Sequence, residues 1–146
     1  RAGGKKGPRE EFVRCCALLS QGTHVICGTN QGRAVRLVRD TGVWSCLYKN
    51  STCQFTAVSV DELLQVAVLG DARGGLSVVS LSGAFVGYTF SAHQGHVMDV
   101  FFRRCASTGQ ALVYSGDNAE NAAGGGAIHR FALDASSGHM RKSCTI

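Results

Sequence analysis

The chain has little of what most directly announces catalysis or membrane insertion. Of its 146 residues one is proline, one is tryptophan, and 17% are charged, against roughly 25% in an average soluble domain. So low a charge content suits a sheet-rich protein with many strands buried on both faces. No run of eighteen apolar residues occurs, so no segment is long enough to span a membrane as a helix. No signal peptide is visible. The seven cysteines include no Cys-x-x-Cys pair, and no Cys/His set has zinc spacing. Cys15 and Cys16 are adjacent and on a strand would face opposite ways. Cys27, Cys46, Cys53 and Cys105 lie in or beside apolar strands. The expectation is buried, reduced thiols acting as small hydrophobes in an intracellular compartment, cytoplasmic or nuclear.

Catalytic groupings are missing too. Gly124-Gly125-Gly126 is followed by Ala127-Ile128 rather than by Lys-Ser/Thr, so it reads as a flexible hairpin insertion and not as a phosphate-binding loop. Asp61-Glu62 falls in a turn, where solvated carboxylates are ordinary. The five histidines are scattered, and each has a simple reading as a strand or turn residue. Asn50-Ser51-Thr52 matches a glycosylation sequon but reads as a plain turn in a reduced chain. The chain is therefore read as not an enzyme, with no cofactor and no metal.

What is present is a repeat. Three apolar strands end in Gly plus a polar residue: His24-Val25-Ile26-Cys27-Gly28-Thr29-Asn30, Leu64-Gln65-Val66-Ala67-Val68-Leu69-Gly70-Asp71 and Ala111-Leu112-Val113-Tyr114-Ser115-Gly116-Asp117. From position 28 to 70 is 42 residues, and from 70 to 116 is 46. Each is preceded by a candidate strand (Phe12 to Leu19, Gln54 to Val60, His96 to Arg103). Each is followed by a turn, a third strand (Arg33 to Arg39, Leu76 to Leu81, Ala127 to Leu133), a Gly turn and an outer strand (Val43 to Tyr48, Phe85 to Ser91, His139 to Ile146). Helical periodicity is weak throughout. Four strands per unit of roughly 40–45 residues predict β-propeller blades, which bury their faces only by stacking on neighbours. The predicted fold is all-β, a propeller fragment of about three four-stranded antiparallel blades spanning about 11–50, 51–94 and 95–146. Arg1, Lys5, Lys6 and Arg9 make residues 1–10 a basic, disordered tail. Three blades fall short of the four to eight of a closed propeller, and the chain begins at Arg. It is accordingly expected to be a fragment, with the remaining blades supplied by the parent chain or by assembling copies.

The segment Ala92-His93-Gln94-Gly95-His96-Val97-Met98-Asp99-Val100 resembles the Gly-His opening of a WD40 repeat. Leu112 to Asp117 is similar to that family's second strand and following Asp. Ala34-Val35-Arg36-Leu37-Val38-Arg39-Asp40-Thr41-Gly42 is similar to its third strand and turn. The resemblance covers about residues 11–146 and is to a divergent member. No Trp-Asp dipeptide closes a third strand; Phe131 is the nearest stand-in, and Trp44 opens an outer strand instead. The resemblance implies an interaction scaffold without catalytic residues. It also implies a structural pair of His96 with Asp117, and Asp71 at the equivalent turn.

Equivalent turns of such units gather on one rim, and exposed loops carry recognition. Arg33 and Arg73 there are either solvated turn residues or a guanidinium pair suited to carboxylate or phosphate. The expanded turn holding Asn118, Glu120 and Asn121 is the other candidate partner-binding element. Two functions follow: a protein-interaction scaffold within a multiprotein assembly, or an RNA-associated propeller in an RNA-processing or ribosome-assembly particle. The second draws on a net charge of +5, which permits nucleic-acid contact without demanding it. No aromatic-basic platform for bases is visible in the sequence. No membrane partner is expected.

Overall fold

A computed structural model describes residues 10–19, 21–119 and 125–146. Among them are twelve strands and no helix: β1 (Val13–Leu18), β2 (His24–Thr29), β3 (Arg33–Val38), β4 (Val43–Lys49), β5 (Phe55–Asp61), β6 (Val66–Asp71), β7 (Gly75–Ser80), β8 (Tyr88–Ser91), β9 (Val97–Arg104), β10 (Ala111–Asp117), β11 (Ile128–Leu133) and β12 (Met140–Thr145). They form three four-stranded antiparallel sheets, β1-β2-β3-β4, β5-β6-β7-β8 and β9-β10-β11-β12. Each sheet meets its neighbour through first strands, β1 against β5 and β5 against β9. The expected basic tail, residues 1–10, lies outside the described residues except for Glu10.

Every strand read from the sequence is present, with bounds that shift for local reasons. β6 starts at Val66 because the preceding turn closes at Gln65, which has φ 53°, and because Leu64 donates its N–H to Asp61 Oδ1 at 3.1 Å. β8 starts late, at Tyr88, because Phe85 leaves the ladder to pack on the apolar core. The turns between second and third strands are tight three-residue hairpins ending in Gly32 (φ 71°) and Gly74 (φ 85°), a backbone region that suits glycine. The third such turn is longer, and 120–124 of it lies outside the described residues.

The middle sheet carries the core. Every residue of β6 and β7 is buried, as a strand covered on both faces must be. On one side Ala67, Leu69, Val79 and Phe55 meet Ile26 and Ala34 of the first sheet. On the other Val66, Val68, Leu76 and Val78 meet Val97, Val100, Val113 and Phe131 of the third. The cysteines divide rather than all being buried: Cys27 and Cys53 are buried, Cys15, Cys105 and Cys144 half-buried, Cys16 and Cys46 exposed. A strand's alternation explains the split of Cys15 from Cys16.

Both seams are built alike. The glycine near the end of the second strand is a notch, and the residue opening the next sheet fills it. A Cβ on Gly28 would lie 2.6 Å from Phe55 Cβ, and a Cβ on Gly70 would lie 2.6 Å from Val97 Cβ. The first strand of each sheet is bulged just after its opening residue, leaving Arg14, Thr56 and Met98 as the extra residues. Two of these reach into the next sheet: Arg14 Nη1 donates to Gln54 Oε1 at 3.1 Å, and Thr56 Oγ1 donates to the Val97 carbonyl at 2.6 Å. Arg36 adds a bond from its guanidinium to the Leu81 carbonyl at 2.8 Å. Asp61, expected as a solvated turn carboxylate, instead takes Arg104 Nη2 at 2.9 Å.

Gly70→Val should force β9 away from β6 and destabilise the chain by about 1–3 kcal/mol, read as a lower urea midpoint. An unchanged midpoint would show that the seam is loose.

Candidate functional site

The turn after each second strand is held by the residue that ends the strand. Thr29 Oγ1 accepts the Arg33 N–H at 3.1 Å. Asp71 Oδ1 accepts those of Arg73 and Gly75 at 2.7 and 3.0 Å. Asp117 Oδ1 accepts that of Ala127 at 2.7 Å. Asp71 and Asp117 are thus structural turn caps, as short polar side chains at such positions commonly are.

The histidine at Asp117 is His93, not His96. His96 is exposed, and it exchanges backbone bonds with Asn118: its N–H meets Asn118 Oδ1 at 2.9 Å, and its carbonyl takes the Asn118 N–H at 3.2 Å. Asn30 ties Phe12 in the same way, at 2.9 and 3.1 Å. Asn118 therefore fastens its turn to the strand opening and is not a free recognition residue. Glu120 and Asn121 lie outside the described residues.

His93 has fully covered ring atoms, with Nδ1 3.1 Å from Asp117 Oδ2 and Nε2 2.7 Å from Ser115 Oγ. A carboxylate only accepts, so the proton is assigned to Nδ1, and Nε2 accepts from the Ser115 hydroxyl. The Nδ1–H has a charged neighbour but no acceptor in line. His129 stacks on His93 with ring centroids 4.5 Å apart. Its Nε2 lies 3.2 Å from Lys142 Nζ, which only donates, so its proton sits on Nδ1 and goes to Thr145 Oγ1 at 3.1 Å. Burial first, then mutual repulsion and Lys142, hold the His93 pKa below its usual value against the pull of Asp117. Burial and Lys142 do the same for His129. Burial pushes the Asp117 carboxyl up, but bonds from the Ala127 and Gly95 N–H groups and the nearby His93 outweigh it and keep the pKa low.

Ser115, His93 and Asp117 have the bonding order of a nucleophilic triad. A cavity of about 320 Å³ opens beside them, lined by His93, Gln94, Asp117, His129 and Lys142. Ser115 is not one of its walls and is only 2% exposed, so its hydroxyl has no approach for a substrate. The group acts as a polar brace tying the third sheet's opening to its second and third strands.

The larger cleft, about 660 Å³, lies on the rim between the first two sheets. Asn30, Gln31, Lys49, Ser51, Thr52, Cys53, Gln54, Ala72 and Arg73 line it. Arg73 and Lys49 are exposed, and among the described residues neither stands within ion-pair distance of a carboxylate. Arg33 is not part of this cleft: its guanidinium grips Glu11 with two bonds, Nε to Oε1 at 2.7 Å and Nη2 to Oε2. Arg33 and Arg73 thus do not form a pair. The residue missed in the sequence is Lys49, whose signal was its place just before the Asn50-Ser51-Thr52 turn. The Arg33 hydrogen bonds, offset in part by burial, hold the Glu11 carboxyl below the usual range.

Cys105 also departs from expectation. Hydroxyls of Ser107 and Thr108 in its turn lower the thiol to about 6, whereas burial raises Cys15 to about 11 and Cys53 to about 12. No helix among the described residues is long and apolar enough to cross a membrane. Comparison with known proteins finds no matching family model and no matching curated protein.

Because the unfolded histidines bind protons more tightly than the folded ones, stability is lost as pH falls below about 6.5. Unfolding free energy should therefore drop between pH 7 and 5, with a shallower slope in His129→Phe; equal slopes would refute the assignment. Brief iodoacetamide treatment near pH 7 should label Cys105 before Cys15 or Cys53, since the thiolate is the nucleophile; mass spectrometry of the digest reads the order.

Proposed function

We propose that the chain is a non-catalytic protein-interaction scaffold, a WD40-like propeller segment that seats an acidic stretch of a partner protein on its rim. The fold part of this reading is supported by repetition: the same sheet, bulge, glycine notch and capped turn occur in successive units, each facing the next through its first strand. The function rests on the rim cleft. It places two exposed cations, Lys49 and Arg73, beside the Gln54 amide and the hydroxyls of Ser51 and Thr52. Such a surface offers charge for carboxylates and hydrogen bonds for a peptide backbone, on turns already fixed by their own caps. The serine of the buried brace is only 2% exposed, which supports a structural role for that residue.

A second reading, RNA association, is favoured by one arrangement. Phe101 and Tyr114 oppose each other on the outer face of the third sheet, and the ladder places Arg103, Arg130 and Arg141 on that same face. Aromatic rings interleaved with guanidinium groups suit unpaired bases.

A fluorescent Glu-rich decapeptide should bind the wild-type chain, and Lys49→Glu with Arg73→Glu should weaken it by at least about tenfold. Equal anisotropy curves would sink the rim reading. A fluorescent oligouridylate that binds with a steep salt dependence, and is lost in Phe101→Ala, would move the function to RNA.

A further inference from the structure

The seam that the chain closes twice has its two halves left over at opposite ends. The second-strand glycine of the third sheet is Gly116, equivalent in register to Gly28 and Gly70: each directly precedes the residue that pairs with its sheet's opening position. Those openings are Val13, Phe55 and Val97. Phe55 fills Gly28 and Val97 fills Gly70, but a Cβ on Gly116 would find no atom nearer than 3.8 Å, and that one belongs to Ile128 of its own sheet. Val13 correspondingly fills nothing and is 45% exposed.

The surroundings repeat the same pattern. Tyr114 and Ile128 occupy the positions that Ile26 and Ala34 hold in the first seam, where both are fully buried; here Ile128 is 47% exposed. Arg130 stands where Arg36 stands; Arg36 reaches the Leu81 carbonyl of the next sheet, while the Arg130 guanidinium bonds Ser143 Oγ within its own sheet. Met98 is the third bulge residue, equivalent to Arg14 and Thr56, and it too is exposed. At the other end the free face of the first sheet carries Val13, Val35, Trp44 and Cys46 around an open groove of about 330 Å³.

We propose that a second copy of this chain docks head to tail, its Val13 seated on Gly116 and its first sheet covering Tyr114 and Ile128. The occupant follows from continuity with the two internal seams: the knob that fits this notch is the one on the chain's own opposite end. Arg130 then has a carbonyl to reach, that of Arg39, the residue equivalent to Leu81. The contact is heterologous, with different patches on the two partners. Two copies joined at both ends would bring six sheets together. The docking itself does not require the propeller reading; ring closure does, six sheets lying within the four to eight of closed propellers.

The test is sedimentation equilibrium of the nuclease-treated chain with Val13→Asp and Gly116→Phe. Both sites are open in the single chain, so circular dichroism melts should match the wild type. Wild type should sediment as about twice its 15.4 kDa. Each variant alone should weaken association by at least about tenfold. Mixing the two should restore a heterodimer, because one intact Val13 then meets one intact Gly116. A monomeric wild type overturns the proposal. So does a mixture no more associated than its components, which would indicate like faces meeting. Association that vanishes on nuclease treatment overturns it in favour of RNA bridging. None of these substitutions touches Lys49 or Arg73, so rim binding of the acidic peptide stands or falls separately.

Discussion

The close approach of one sheet's opening residue to the preceding sheet's glycine sets the spacing of everything else. With no side chain at Gly28 or Gly70, β5 and β9 come near enough for Phe55 and Val97 to fill the gap. The neighbouring apolar rows then interdigitate rather than face each other across a void. The bulge after each opening residue follows from the same approach. It turns one extra side chain toward the next unit, which is how Thr56 reaches the Val97 carbonyl and Arg14 reaches Gln54. Cross-sheet polar bonds therefore sit at the edges of a seam whose centre is apolar, where they need little burial of unpaired charge.

The same arrangement leaves each rim turn to be held by its own local bonds. The turns at the rim are held by caps from Thr29, Asp71 and Asp117 and by the backbone pairing of Asn30 and Asn118. Arg33 adds a bond of its own there, its guanidinium tied to Glu11, whereas Arg73 stands exposed on its turn. The polar brace of His93, Ser115, Asp117 and His129 does for the third sheet what the Glu11, Thr29 and Arg33 contacts do for the first. Different chemistry serves the same mechanical end at equivalent places.

Much of the architecture was legible in the sequence because strand alternation and glycine turns are local signals. β2 was read at its observed bounds, and the remaining strands came within a few residues. Asp71 and Asp117 were legible as turn residues for the same reason. His93 was not: the Gly95-His96 dipeptide drew attention to the wrong ring, and only the path of the loop after β8 decides which imidazole reaches Asp117. Arg33 escaped because its partner is 22 residues away on the chain. The rim cleft likewise joins segments from two units, and no window of sequence contains it. The aromatic and arginine face of the third sheet became visible only once register placed Phe101 across from Tyr114. Cys105 could have been noticed, since Ser107 and Thr108 stand beside it in a Gly-containing turn.

β6 and β7, buried along their whole length, give the chain a gradient of rigidity. In stacked repeats each unit draws its stability from its interfaces, and the middle sheet has two where the outer ones have one. Amide protons of Val68 and Val78 sit behind both apolar layers, so exchange with solvent there requires loss of the whole assembly rather than a local opening. Those of β4 and β12, at the margins of the outer sheets, need only fraying. Thermal motion is thus graded outward from the centre, and the first sheet's outer edge can rearrange without disturbing the strands that hold the three units in register.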